Sequence, residues 1–252
     1  MRKQLEQAVG KPHLSYSSLK YALGDMRLWE MYMRGELKKE SEALRFGTLY
    51  DMMLFEPDKA NEVYYTLDDR DVVADIGGRN PRSTKRYKEW KAEQASQNAD
   101  QTLVSQEDWD QAKAMIARLK DCGLYYTQFD GGQFQVEFNV DLDGVPLKGF
   151  LDCLQGDRII DSKSSRSIEK FRYDVNSFSY DIQAYIYSKV FGIKDFYWVV
   201  QEKTYPYYPA NVKCSEETMF RGEMKFHQAL ENINNYLNGK QNSEEHFAEF
   251  IV

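Results

Sequence analysis

GFLDCLQGDRIIDSKSS, residues 149–165, decides the fold. LKGFLDCL (147–154) and DRIIDSK (157–163) read as two strands, and Gln155-Gly156 between them has turn chemistry. Asp161 and Lys163 are two apart on a strand, so both side chains leave the same face. Asp152 stands on the preceding strand, across the short turn. The strand before that, QFQVEFNV (133–140), alternates: Phe134, Val136, Phe138 and Val140 share one face, Glu137 and Asn139 the other. Asp143-Gly144 signals the hairpin that follows it.

Working outward, SYDIQAYIYSKVF (179–191) reads as a helix that buries Ile182, Ile186 and Val190. A strand, DFYWVVQ (195–201), follows. A last helix from Ser215 to about Leu237 presents Phe226, Leu230, Ile233 and Leu237, with Gly239 suited to its C-terminus. Strands in a meander, then a crossover helix and another strand, imply a mixed β-sheet flanked by helices, an α/β (α+β) fold. Upstream, Ser15, Ser17 and Ser18 are cap candidates for a helix running toward Met33. A second helix is predicted over Gly47–Phe55, stopping near Pro57. Residues 66–105 read as irregular, with a turn at Gly77, Gly78 and Pro81. Ser105 and Asp108 then resemble a capping box for a helix carrying Trp109, Ala112, Ile116 and Leu119. No second core is visible, so 1–252 reads as one domain: a helical part over about 12–125, a core over about 130–205 and a terminal helix over about 215–238.

At 252 residues, 42% hydrophobic and 29% charged, the chain has the composition of a soluble globular protein. No apolar run approaches the ~18–20 residues of a membrane span. The opening MRKQLEQAVGKPHLSYSS lacks the apolar stretch of a secretory signal, so a cytoplasmic location is expected. A net charge of −7 argues against nucleic-acid binding through bulk positive charge. Three scattered cysteines make neither a disulfide framework nor a metal cluster. Three histidines share no motif, so carboxylates and lysines are left to carry any catalysis.

Glu137, Asp152, Asp161 and Lys163 supply them, converging at one end of the predicted sheet. Neighbouring buried acids repel, and a hard cation such as Mg²⁺ or Mn²⁺, which prefers oxygen ligands, compensates them. A lysine beside it positions or deprotonates a water and neutralises developing phosphorane charge. A bare D-x-K is expected roughly once by chance in such a chain. Singly, Asp161 and Lys163 read equally as a solvated strand edge, and Asp152 as an acid beside a turn.

Together with their flanks these residues resemble the PD-(D/E)xK nuclease superfamily in its RecB-like branch, which reads E, then G-x-x-D, D-x-K and Q-x-x-x-Y. Glu137, Gly149 to Asp152, Asp161 to Lys163, and Gln183 to Tyr187 match those motifs. LSYSSLKYALGDMRLWEMYMRGE and RFGTLYDMMLFEP are similar to segments of phage and prophage RecE-type exodeoxyribonucleases, and the match runs from about 12 to 235. The family's histidine in its G-T-x-x-H segment falls on Asp51. An aspartate also suits a hard cation, although a surface acid on a helix fits Asp51 as well.

The resemblance implies a restriction-endonuclease-like core and hydrolysis of DNA phosphodiester bonds. It implies Asp152, Asp161, Glu137, Asp51 and the carbonyl of Ser162 as metal ligands, Lys163 as the group that positions water, and Gln183 and Tyr187 as contacts to the phosphate backbone or supports for Lys163. Some relatives carry a four-cysteine iron–sulfur cluster, which three scattered cysteines cannot build. It further implies linear double-stranded DNA as substrate, a ring-like homo-oligomer and a single-strand annealing protein as partner. RNPRSTKRYKEWK (79–91) holds six basic residues and one acid. Arg79, Arg82, Lys85, Arg86 and Lys88 suit phosphate contacts there, with Tyr87 and Trp90 interleaved for stacking. A solvated helix face with Trp90 packed on the core fits the same residues. An endonuclease or nickase of the same fold, or a DNA-binding protein that lost catalysis, are the alternatives.

Overall fold

A computed structural model describes residues 1–37 and 41–240; residues 241–252, the end of the range read as one domain, lie outside the described residues. The chain divides into two compact units, Met1–Glu40 with Cys122–Val252 and, between them in sequence, Ser41–Asp121.

The larger unit opens with α1 (Arg2–Val9), α2 (Tyr16–Ala22) and α3 (Met26–Arg34). Ser15 and Ser18 form a reciprocal capping box at the start of α2. The single helix expected toward Met33 is two helices. Asp25 accepts a hydrogen bond from the Arg27 amide at 2.8 Å and so caps a fresh start.

The smaller unit contains α4 (Glu42–Phe55), α5 (Pro57–Val63), the short strand β1 (Tyr64–Tyr65), α6 (Arg70–Ile76), α7 (Lys85–Gln97), β2 (Thr102–Leu103) and α8 (Gln106–Asp121). Pro57 ends one helix and begins the next at its first position, where a missing N–H costs nothing. The segment read as irregular holds α6 and α7. These helices hide from a periodicity search because they carry no apolar stripe: α6 buries no residue and α7 only Tyr87.

The larger unit resumes with α9 (Leu124–Gln128), then β3 (Gln133–Leu142), β4 (Val145–Gln155) and β5 (Arg158–Ser165). α10 (Phe171–Ser177) and α11 (Tyr180–Phe191) lead to β6 (Asp195–Glu202), β7 (Pro209–Lys213) and α12 (Glu216–Leu237). The sheet order is β3-β4-β5-β6-β7, with β5 and β6 parallel and the other pairs antiparallel. The expected mixed sheet with flanking helices is therefore present. The edge strand β7 and helix α10 are additions to the sequence reading; both are short.

Its core joins Leu147, Leu151, Phe196 and Trp198 of the sheet to Leu19, Trp29, Ile182, Ile186, Phe226 and Ile233 of the helices. Gly222 marks where α12 crosses α11 most closely: a Cβ there would meet the Asp181 carbonyl oxygen at 2.1 Å. Among the described residues no helix is long and apolar enough to cross a membrane.

Candidate active site

The hydrogen-bonded ladder between β4 and β5 spans Cys153–Gln155 against Arg158–Ile160. Asp152 and Asp161 are the next residue on each strand, where the ladder ends. The Ser162 N–H, with no β4 carbonyl opposite, donates instead to Asp152 Oδ2 at 2.9 Å. Two carboxylates thus stand together at the fork. Asp161 is fully buried, and its Oδ2 touches the Lys163 ammonium. Lys163 also donates to the Ser162 carbonyl at 3.2 Å. Its ammonium lies 5.0 Å from the centre of the Tyr180 ring.

From α11, Gln183 Nε2 donates to Asp161 Oδ1 at 2.7 Å and reaches the Tyr187 hydroxyl at 3.4 Å. Gln183 and Tyr187 therefore support Asp161 rather than Lys163. Tyr187 is held in turn by Phe138, ring centres 5.4 Å apart. Gly149 makes room for that contact: a Cβ on it would stand 2.7 Å from the Phe138 ring. The glycine of the G-x-x-D motif has a packing reason.

Charge is out of balance here, with two carboxylates against one ammonium. Burial pushes Asp161 up to about 7; Lys163 opposes the shift and Asp152 adds to it. Burial also raises Asp152, against the pull of Lys163 and the Ser162 N–H. Burial works against the Lys163 ammonium, but Asp161 and Asp152 outweigh it and hold its pKa above the ordinary lysine value.

Three buried polar atoms, Asp161 Oδ2, Ser162 Oγ and Gln183 Oε1, accept or donate no hydrogen bond among the described residues, the ion pair of Asp161 with Lys163 aside. Excess negative charge with unsatisfied Asp161 and Gln183 oxygens beside it fits a hard divalent cation, whereas Ser162 Oγ leaves the other face of β5; Mg²⁺ characteristically takes one or two carboxylates and keeps several waters. No group of three or more His, Cys, Asp or Glu side chains is arranged around a metal position among the described residues. The protein donors would therefore be Asp152 and Asp161.

Glu137 lies elsewhere in the larger unit, and Asp51 and the basic run belong to the smaller unit. Glu137 is half-exposed and pairs with Lys148 at 2.8 Å. Its neighbour Phe138 faces Tyr187 of α11, so Glu137 points to the opposite side of the sheet. Asp51 belongs to α4 of the smaller unit. In that unit Arg82 is bound to Asp69 through two nitrogens, Arg86 pairs with Asp75, and Lys85 lies 3.6 Å from Glu89. Arg79 and Lys88 are exposed and form no ion pair among the described residues. Tyr87 is buried, donates to Asp69 at 2.7 Å and packs on the half-buried Trp90, so its ring is not offered to a base.

Two residues at the site escaped the sequence reading. Tyr180 lies under Lys163. Tyr16, from α2, donates to the Phe178 carbonyl at 2.6 Å; burial raises its pKa, and the Lys163 charge opposes that rise. A tyrosine in the capping box of α2 carries no local signal of a partner 162 residues away.

A family model described as a PDDEXK-like domain of unknown function (DUF3799) matches residues 16–248. The crystal structure of a putative exonuclease from Eubacterium rectale superposes with a TM-score of 0.64 at 17% identity, covering 99% of this chain and 92% of that one. At that identity the likeness shows the fold. The crystal structure of SSO0001 gives a TM-score of 0.32 at 16% identity over 91% of this chain and 88% of that one, too low to bear on the argument. No curated protein matches the sequence.

Proposed function

Because this chain belongs to that PDDEXK-like family, we propose that it is a metal-dependent nuclease that hydrolyses DNA phosphodiester bonds, and more finely an exonuclease acting on linear duplexes. The observation that carries the reading is the Asp152–Asp161 pair, Asp161 fully buried and Asp152 partly so, under-compensated by Lys163 and braced by Gln183. A divalent ion held by the two carboxylates would supply charge stabilisation at the phosphate and a more acidic water.

The chain's own residues do the rest. Asp161 and Asp152 hold the Lys163 pKa above the ordinary lysine value and so favour its charged, hydrogen-bond-donating form. Lys163 orients the attacking water and neutralises charge that develops on the phosphate oxygens. Gln183 fixes Asp161 in one rotamer, and Tyr187 with Phe138 closes that side of the site with aromatic rings. In the smaller unit, Arg79 and Lys88 are the basic residues best placed to meet phosphates, since Arg82 and Arg86 already answer acids.

The test is digestion of linear and covalently closed circular duplex DNA in Mg²⁺, Mn²⁺ and EDTA, with Lys163→Ala as control. Metal-dependent loss of the linear form alone is expected. Cleavage of the circle would make the protein an endonuclease, and no cleavage in either metal would overturn the nuclease reading.

A further inference from the structure

Next to Lys163 an aromatic surface leads outward. The Tyr180 ring beneath the ammonium lies 5.7 Å from the ring of Phe178, centre to centre. Phe178 is 45% exposed, which is unusual for a phenylalanine so close to a buried charged cluster. The Lys20 ammonium stands 5.5 Å from the centre of the same ring.

The backbone beneath this surface is held from several sides. Tyr16 binds the Phe178 carbonyl, the Phe178 amide donates to the Asp174 carbonyl at 2.8 Å, and the Ser179 amide donates to the Asn176 carbonyl at 3.2 Å. Ser179 itself sits in the left-handed region, φ 59°, where a non-glycine residue is strained. Such strain persists only where the surroundings over-determine it, and it gathers at functional sites. The result is an aromatic surface partly open to solvent, its two rings tilted by 45°, with the Lys20 ammonium over the Phe178 ring and Lys163 over the Tyr180 ring.

We infer that Phe178 and Lys20 form a stacking platform for one unpaired base of the DNA strand in the active site, with Lys20 taking a flanking phosphate. This rests on the nuclease reading. The two ring and cation distances put Phe178 within about 11 Å of the Lys163 ammonium, the span of roughly three base steps at ~3.4 Å each. The stacked base therefore belongs to a nucleotide close to the scissile phosphate. A phenyl face accepts any base, so the platform sets strand position and not sequence. It favours substrates in which that base is unstacked from its neighbour, as at a frayed end.

The test is a cycle between the side chain and the base. Binding of a short labelled single-stranded oligonucleotide is followed by fluorescence anisotropy in EDTA, where no cleavage competes. An abasic site is moved along the oligonucleotide one position at a time. Phe178→Leu should weaken binding about 10-fold. At one abasic position that loss should vanish, because the base it acts through is gone. Phe178→Tyr should keep wild-type affinity, and Lys20→Gln should lower the slope of log affinity against log salt by about 0.7. Thermal melting checks that each variant is folded. Equal weakening by Phe178→Leu at every abasic position, or no weakening at all, would overturn the platform. Absence of metal-dependent hydrolysis with the coupling intact would instead overturn the nuclease reading alone.

Discussion

Two aspartates twenty positions apart in the same unit, Asp161 and Asp181, are each fully buried, and their surroundings are opposites. Asp181, in the first turn of α11, meets two cations from α12: Arg221 at 2.6 Å and Lys225 at 2.9 Å. Its Oδ1 also accepts from the Ile182 amide at 3.0 Å, and Lys225 ties on to the Asn176 carbonyl. One carboxylate is answered by two cations that reach solvent. Asp161 shares one ammonium with a second carboxylate, and beyond that ion pair its Oδ2 accepts no hydrogen bond among the described residues. The first arrangement is complete and pins two helices together. The second is incomplete and calls for a further cation. Local charge balance, more than burial, separates a structural acid from a candidate catalytic one.

The largest expected effect breaks the comparison at its catalytic end. Lys163→Ala should cut hydrolysis by about 10³-fold or more in a chain that still unfolds cooperatively, though at a lower melting temperature because two carboxylates lose their cation. A variant with near-wild-type rates would remove Lys163 from the mechanism.

At the structural end, Gly222→Ala forces a methyl group into the Asp181 carbonyl and should cost ~3 kcal/mol of stability. Asp181→Asn leaves Arg221 and Lys225 facing each other without a counter-charge. Because both reach solvent, the expected cost is ~2 kcal/mol, below that of a fully buried pair. Denaturant unfolding measures both, and an unchanged midpoint for Asp181→Asn would mean the triad is not structural.

Asp161→Asn should act in the opposite direction on stability. Asp161 titrates at about 7 in the metal-free fold and at about 3.9 when unfolded, so the folded state holds the extra proton between those values. Stability of the metal-free protein therefore falls as pH rises from about 4 to about 7, and the loss is complete above that window. Asp161→Asn should raise the melting temperature of the metal-free protein at about pH 8 and flatten that pH dependence. Mg²⁺ should stabilise the wild type and not the variant. Thermal melts with and without the ion decide it, and a variant that melts lower would show that Lys163 needs this partner more than the site suffers from it.

The smallest effect extends the comparison to exposed cations. Arg82 and Arg86 are answered by Asp69 and Asp75, whereas Arg79 and Lys88 form no ion pair among the described residues. Replacing Arg79 and Lys88 by Gln should reduce the salt slope of DNA binding by about 0.9 for each phosphate that is no longer neutralised. Replacing Arg82 and Arg86 should change it less.

Much of the candidate site was legible. Asp161 and Lys163 share a short strand, Gln183 and Tyr187 share a helical turn, and the short turn at Gln155-Gly156 placed Asp152 beside the first pair, because strand, turn and helix geometries are local; that the helical pair joins them was implied by the family resemblance. Glu137 shows the limit. Alternation along β3 correctly set it opposite its apolar neighbours, but only the packing of Phe138 on Tyr187 reveals that this side looks away from α11. The basic run 79–91 shows another: its charge was countable, and its partners on α6 and just before it were not.

The sequence by itself determined the strand order of the meander, the crossover helix and the motif that carries the carboxylates and the lysine. Each follows from side-chain period and turn chemistry over about a dozen residues or fewer. Tertiary structure alone decided which charges are answered. It set two cations on Asp181, one on the Asp152–Asp161 pair, Tyr16 against Phe178 and Lys20 over the Phe178 ring. Electrostatic compensation depends on distance and burial in space, and residues far apart in the chain supply it.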